Sequence, residues 1–247
     1  LVLTGLEPIW LTPEIDQATG VPTGIAVSEL ERVLDQKPIA LLLTEPGYLG
    51  TISELSALIK KAHENSIPVI VDAAWGGHFG FNSQIPQHVL QLGADALITS
   101  THKALPGYSA SALLLARTSL LSAERLEQSF ETTHTTSPAG APLASIDGVR
   151  ALLETRGEEL IGKLLSNIHR FKEMVQAEFP LPIFLYPSDF PEGRFDPSKI
   201  VLRVQQLGAS GVDIEEDLQA QGIRVEMADR DTIVFLGTIA DTEADFD

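Results

Sequence analysis

The sequence predicts an α/β protein built around a mostly parallel sheet with helices on both faces, followed by a small α+β unit. Short aliphatic runs alternate with helical patterns along the first half of the chain, and strands in that order pair in parallel through right-handed crossovers. Hydrophobic residues make up 44% of the 247 residues, whereas aromatic residues make up only 6%. This aliphatic composition is typical of strands that helices cover on both faces.

Four aliphatic runs predict the strands of the first half, at residues 39–43, 68–72, 96–100 and 109–116. A capping-box pattern at residues 28–31 predicts a short helix before the first strand. Helical patterns predict two more helices between the strands, at residues 55–61 and 87–92. Strands and helices that alternate at this spacing predict parallel pairing of the strands.

The second half has a different pattern. A long helix is predicted over residues 143–178, although three glycines weaken it. The later strands and helix are predicted at residues 200–204, 212–221, 223–226 and 232–237, and Thr242 is expected to cap one more helix. We expect a large domain over residues 1–155 and a small α+β domain over residues 156–247, the first incomplete at its start and the second at its end.

The charge and cysteine content exclude several functions. The chain has 34 acidic residues against 17 Lys and Arg, and a net charge of -17 would repel nucleic acid and anionic membranes. It is compatible with a small cationic substrate. The absence of cysteine excludes disulfides and thiolate catalysis and fits a cytoplasmic location. The apolar runs are too short to cross a bilayer, and we find no signal peptide.

Two chemical groups follow neighbouring predicted strands. Asp72 ends the second strand and Lys103 lies just beyond the third, at the sheet edge where ligands bind. A carboxylate that keeps a pyridine nitrogen protonated and an amine that forms an imine are the groups that pyridoxal phosphate (PLP) needs most. Taken singly, each is more simply a loop carboxylate or a surface amine. Ser100 adds a hydroxyl that can donate a hydrogen bond to a phosphate, and His102 adds an imidazole. Together they favour the interpretation as a cofactor site.

Several segments together resemble the Orn/Lys/Arg decarboxylase family of fold-type I PLP enzymes. Residues 71–79 are similar to the family's Asp-Glu-Ala-(Trp/His)-Gly-Ala-His segment, and residues 100–103 match its Ser-Thr-His-Lys signature. Shorter matches follow in the family's order at residues 3–8, 46–50, 93–95, 135–138 and 196–199. The resemblance implies an aspartate-aminotransferase-like large domain and a homodimer or higher homo-oligomer.

The resemblance also implies the roles of individual residues. Lys103 would form the imine with PLP, Asp72 would pair with the pyridinium nitrogen, and His102 would lie beside the imine. Two threonines match a segment that reaches the neighbouring subunit's phosphate in fold-type I dimers. The residues implied to bind the cofactor are Lys103, Asp72, Ala74, Ser100, His102, Thr135 and Thr136. The implied reaction is α-decarboxylation of arginine, lysine or ornithine.

Some positions depart from the family's pattern. Ala73 replaces an acidic or polar residue, Gly47 replaces a Thr, and residues 104–107 diverge after the lysine. The family's Gly-Ser-Thr phosphate loop and ring-stacking His would lie before Leu1. Two alternatives therefore stay open: another fold-type I reaction, such as transamination or a different lyase step, or a chain that keeps the fold without holding PLP.

Metal and nucleotide sites are not favoured. His78, His102 and Asp72 could be imagined as a metal triad, but the sequence has no His-x-x-x-His pair to support it. The glycines after Trp75 do not form a dinucleotide fingerprint, and no Gly-Lys-Ser/Thr phosphate loop is present. Trp75 itself is interpreted as part of a wall or core.

Overall fold

The computed structural model describes residues 4–117 and 119–247, and the larger of its two sheets has four strands in sequence order. The first three pair in parallel, while the fourth runs antiparallel to the third. The mostly parallel sheet is therefore confirmed, but parallel pairing of the fourth strand is wrong. Only residues 101–111 join the last two strands, and a crossover needs a longer connection. The strands are β1 (Leu41–Thr44), β2 (Val69–Asp72), β3 (Ala96–Ser100) and β4 (Ala112–Ala116).

Two helices cover one face of this sheet, α1 (Val27–Val33) and α2 (Leu55–Glu64). Leu43, Val71 and Leu97 lie side by side on that face, and all three are buried in the main hydrophobic cluster. The apolar stripe of α2 packs on the same cluster. Each fully buried aliphatic side chain contributes about 1.5–3 kcal/mol. On the opposite face, Leu42 and Ile98 remain 66% and 38% exposed.

Two local predictions in this region are wrong. Helix α1 begins after Ala26 with no side-chain cap, so the pattern at residues 28–31 does not cap it. Glu31, the acid of that pattern, instead pairs with Lys61 at 2.6 Å. Residues 87–92 form turns rather than a helix, because the chain reverses at Gly93, whose φ is 106°.

A 39-residue helix, α4 (Gly140–Glu178), connects the two halves of the molecule. Its first part buries Val149 and Leu153 in a cluster with Leu105, and its later part buries Leu164 in a cluster with Ile200. The proposed domain division after residue 155 thus lies inside one continuous helix. Neither α4 nor another helix within the described residues is both long and apolar enough to cross a membrane.

The small sheet is antiparallel, and its central strand, residues 232–236, pairs with residues 199–203 on one side and with residues 227–228 on the other. The predicted strand at residues 223–226 is displaced, since pairing begins only at Met227. At the end of the chain the Asp245 carboxylate accepts the Thr242 N–H in a single 3₁₀ turn. The remaining elements are α3 (Ala123–Thr133), β5 (Lys199–Arg203), α5 (Gly211–Ala220), β6 (Met227–Ala228) and β7 (Thr232–Leu236).

Two glycines inside α4 provide a matched test of how this helix packs against Phe81. A Cβ at Gly148 would meet no atom within 4 Å, whereas a Cβ at Gly157 would lie 3.1 Å from the Phe81 Cβ. We expect Gly148→Ala to raise the free energy of unfolding by about 1 kcal/mol, because alanine favours the helix. Gly157→Ala should lose this gain or destabilise the protein. Equal gains in urea unfolding would contradict the packing of Phe81 on α4.

Candidate active site

The carboxyl ends of β2 and β3 are held together by hydrogen bonds that extend beyond the strands. Asp72 lies opposite Ile98 in the register. The next residue, Ala73, donates its N–H to the Ile98 carbonyl at 2.7 Å and accepts the Thr99 hydroxyl at 2.9 Å. The loop after Asp72 is therefore fixed against β3, at the edge from which residues 101–103 leave the sheet.

Asp72 presents one anchored and one free oxygen. Its Oδ1 accepts the Ala74 N–H at 3.1 Å, which orients the carboxylate across a short turn. Within residues 4–117 and 119–247, Oδ2 accepts no hydrogen bond. The carboxylate can thus bind a donor supplied by a ligand. Ala74 lies two residues after Asp72 and is partly buried.

Lys103 lies beside the ring of Trp75. Its Nζ is 4.9 Å from the ring centroid, and it makes no hydrogen bond or ion pair with the part of the chain that the structure describes. Trp75 is buried, three residues after Asp72 in the same loop. A cation above an aromatic face is favourable by roughly 0.5–2 kcal/mol. Trp75 therefore places the Lys103 amine next to the loop that carries Asp72.

Ser100 and His102 lie between the strand and the lysine. Ser100 is buried, and its hydroxyl has no hydrogen-bond partner among the described residues. The Nδ1 atom of His102 lies 2.8 Å from the Ser111 carbonyl oxygen and 3.2 Å from its N–H nitrogen. Either contact fixes the imidazole at the start of β4 through Nδ1, so that Nε2 remains available.

Thr135 and Thr136 lie apart from this group. Both are exposed in the loop between α3 and α4, and Thr135 Oγ1 accepts the Ser137 N–H at 3.2 Å. No hydrogen bond of the described chain joins either threonine to the residues at the sheet edge. Within one chain, the structure therefore brings together five predicted residues but not these two. The five are Asp72, Ala74, Ser100, His102 and Lys103.

A residue to which the sequence analysis gave no role also reaches this edge. Lys199, at the start of β5, places its Nζ 3.9 Å from the Trp75 ring centroid and 5.7 Å from that of Tyr48. Burial lowers the pKa of Lys199, and the charge of Lys103 adds to this effect, while Asp196 and Glu226 oppose it. The only signal in the sequence was the family match at residues 196–199.

A buried polar cluster attaches β5 to the loop after β2. His78 Nε2 lies 3.3 Å from Asp196 Oδ1 and 3.1 Å from the Ser198 hydroxyl, which donates to the same carboxylate. Burial acts to raise the pKa of Asp196, but the charge and hydrogen bond of His78 and the hydrogen bonds from Ser198 lower it overall.

No group of three or more metal-ligating side chains occurs among the described residues.

Glu45 is a buried acid next to the same edge. Its backbone N–H donates to the Asp72 carbonyl at 2.9 Å, and its carboxylate accepts the Ser53 N–H at 3.0 Å. Burial raises the pKa of Glu45 to about 7, although hydrogen bonds from Ser53 and the charge of Arg194 act in the opposite direction.

Comparison with solved structures shows which fold the chain has. Lysine decarboxylase A from Pseudomonas aeruginosa matches with a TM-score of 0.81 at 19% identity, over 99% of this chain and 42% of that chain. The constitutive lysine decarboxylase of E. coli matches with a TM-score of 0.76 at 20% identity, over 97% and 41%. A NifS-like protein from Rickettsia africae matches with a TM-score of 0.66 at 14% identity, over 91% and 64%. The chain therefore has the fold of the fold-type I PLP-dependent enzymes.

The sequence comparisons identify the family. The family model described as Orn/Lys/Arg decarboxylase, major domain, matches residues 1–185, and the chain belongs to that family. Relatives named arginine decarboxylase, from Halalkalibacterium halodurans and Bacillus subtilis, are each 32% identical to it over 259 and 255 residues. Both alignments include 100% of this chain and 51% of the relative. The chain thus spans about half the length of these relatives.

The raised pKa of Glu45 predicts a measurable pH dependence of stability. The folded protein binds this proton more tightly than the unfolded chain, whose ordinary value is 4.5, so stability falls as pH rises from 4.5 through about 7. Relative to Glu45→Gln, the wild-type free energy of unfolding should fall by roughly 2–3 kcal/mol between about pH 5 and about pH 8. Urea unfolding at both pH values measures the difference, with the exposed Glu54→Gln as the control. A constant difference between wild type and Glu45→Gln would contradict the burial of this acid.

Proposed function

We propose that this chain carries the cofactor-binding part of a PLP-dependent decarboxylase that acts on arginine, lysine or ornithine. The observation that carries the proposal is the sheet edge at which Asp72 has a free carboxylate oxygen and Lys103 an unpaired amine beside Trp75. Family membership supports the same reaction.

The residues at this edge fit PLP in their chemistry. The free oxygen of Asp72 suits a protonated pyridine nitrogen, the amine of Lys103 suits an aldehyde, and the unpartnered hydroxyl of Ser100 suits a phosphate. When bound, the cofactor supplies an electron sink for the charge that remains at Cα after CO2 leaves. The small side chain of Ala74 leaves room beneath a planar ring.

The protein's own groups then have separate tasks. Asp72, oriented by the Ala74 N–H, would hold the proton on the pyridine nitrogen. Lys103 would hold the aldehyde of the cofactor through its amine. His102 is fixed through Nδ1, so its Nε2 would be available to hold or move a proton. The buried ring of Trp75 would orient the Lys103 amine beside the loop that carries Asp72.

The substrate class is supported by the relatives and by charge. The relatives' names specify arginine in the sequence comparison and lysine in the structural one. A net charge of -17 attracts a cationic amino acid and repels nucleic acid. The same arrangement of Asp and Lys serves transamination, so the products distinguish the two reactions.

We also propose that the protein is a cytoplasmic homodimer or higher homo-oligomer. The cysteine-free sequence supports this compartment. Helix α3 buries none of its residues, and its Phe130 is 48% exposed. In β4, the strand before α3, Leu114 and Leu115 are 40% and 39% exposed. An exposed apolar surface of this kind is typical of a subunit interface. Assembly would allow Thr135 and Thr136 to reach the phosphate of a neighbouring site.

The reaction is tested by its products. With PLP and each of the three amino acids, we expect release of CO2 and formation of the corresponding amine, without the keto acid that transamination would give. Lys103→Ala should remove the visible absorbance of the bound cofactor and reduce turnover by at least about 1,000-fold, because the covalent attachment is lost. Keto-acid formation would favour transamination. A wild-type chain that shows no bound-cofactor absorbance would contradict the proposal.

Shared active sites predict complementation between inactive variants. A Lys103→Ala chain and a Thr135→Ala/Thr136→Ala chain should each have little activity. If the threonines serve the neighbouring subunit, a mixture forms heterodimers with one intact site, and random assembly gives about a quarter of wild-type activity. Activity that stays at the sum of the two separate variants would contradict this role of the threonines.

A further inference from the structure

The ammonium group of Lys199 is buried without a partner. The residue is 1% exposed, its Nζ lies between the rings of Trp75 and Tyr48, and Nζ has no hydrogen-bond partner among the described residues. An unpaired buried charge is strongly destabilising, even after the surrounding structure relaxes. A group in this state is ready to bind an anion.

Two carboxylates lie near the ammonium without forming an ion pair with it. Asp196 binds His78 and Ser198 through Oδ1, and Glu226 accepts the Tyr48 hydroxyl at 2.7 Å. Among the ion pairs of the described residues, none joins Lys199 to either carboxylate. Burial lowers the pKa of Lys199, and the charges of these two carboxylates only partly oppose that effect.

The stem of Lys199 is held in place by close packing. Gly50 has a φ of 85°, and a Cβ there would lie only 3.0 Å from the Lys199 Cγ. The Asp196 N–H donates to the Gly50 carbonyl at 2.8 Å, which fixes the same loop against the start of β5. The ammonium position is therefore determined by the fold.

Lys199 and Lys103 share one aromatic ring. Their Nζ atoms lie 3.9 and 4.9 Å from the Trp75 centroid, so the two Nζ atoms are at most about 9 Å apart. This distance is about one Debye length at physiological salt, so each charge acts on the other. An α-amino acid whose amine takes the place of the Lys103 amine carries its carboxylate on the adjacent carbon. The unpaired cation one ring away has the charge that this carboxylate needs.

We propose that Lys199 binds the carboxylate of the amino-acid substrate. The inference rests on the proposed function, because it takes the Lys103 amine as the position of the substrate amine. A charge-assisted hydrogen bond would form from Nζ to the carboxylate, beside the rings of Trp75 and Tyr48. The product amine lacks this group, so Lys199 distinguishes the substrate from the product.

The first test uses arginine and agmatine, which differ only in the carboxylate, and needs no cofactor. In a chain labelled with ¹³C at the lysine Cε atoms, the resonance of Lys199 is the one missing from Lys199→Met. We expect arginine to shift this resonance and agmatine to leave it unchanged. Equal shifts with both ligands, or no shift with either, would overturn the proposal.

The second test measures dissociation constants from the visible absorbance of the chain with bound PLP. Lys199→Met should weaken arginine binding at least about tenfold, the effect of one hydrogen bond to a charged group, without changing agmatine binding. KM should rise while kcat is kept, because ground-state binding is lost. A parallel loss for both ligands, or loss of the cofactor, would sink the proposal.

Lys172→Met is the matched control for removing a buried lysine. Lys172 lies in α4, and its Nζ donates to the Leu185 carbonyl at 2.9 Å, so its role is structural. It should lower stability and leave the ratio of the two dissociation constants unchanged. A wild-type chain without cofactor absorbance contradicts the proposed function alone, and the resonance test still decides the role of Lys199.

Discussion

The register between β2 and β3 is the constraint on which the site depends. The side chains of Asp72 and Val71 point to opposite faces of the sheet, and only Val71 belongs in the hydrophobic cluster beneath α2. A shift of one residue would bury the carboxylate and expose the valine, at a cost of several kcal/mol. The aliphatic core thus fixes the position of Asp72. The bond from the Ala73 N–H to the Ile98 carbonyl then extends this register into the loop.

The segment before β5 also contributes to this edge of the large sheet, through backbone contacts with the loop after β1. Ile52 donates its N–H to the Arg194 carbonyl, and Thr51 forms an isolated bridge with Phe195. The buried pair of His78 and Asp196 adds a side-chain contact to the loop after β2. The site is therefore assembled from two distant segments. Its geometry depends on the packing between them as well as on the strands of the large sheet.

Local sequence signals were sufficient for the strands of the large sheet and for bringing Asp72 and Lys103 to one edge of it. Residues 96–100 are a short apolar run bounded by Gly93 and by polar residues, and β3 has those bounds. The order of strands also placed Asp72 and Lys103 at one edge. Contacts across 118 or 120 residues, such as those of His78, have no periodic signal, because tertiary packing chooses the partners. The direction of β4 and the turns at residues 87–92 likewise depend on loop length and chain reversal.

The distribution of unsatisfied polar atoms connects stability with function. Among the described residues, seven buried side-chain atoms lack a hydrogen-bond partner. Three of them, His78 Nδ1, Asp196 Oδ2 and Lys199 Nζ, belong to the loop after β2 and to the segment that begins β5. Lys172, in contrast, is buried nearby with its ammonium bonded to backbone carbonyls, as a structural lysine requires. Burial by itself therefore does not leave a lysine unsatisfied in this fold. Unpaired polar groups lower stability, and the ammonium of Lys199, beside the same ring as the Lys103 amine, is what a site prepared for a charged ligand would require.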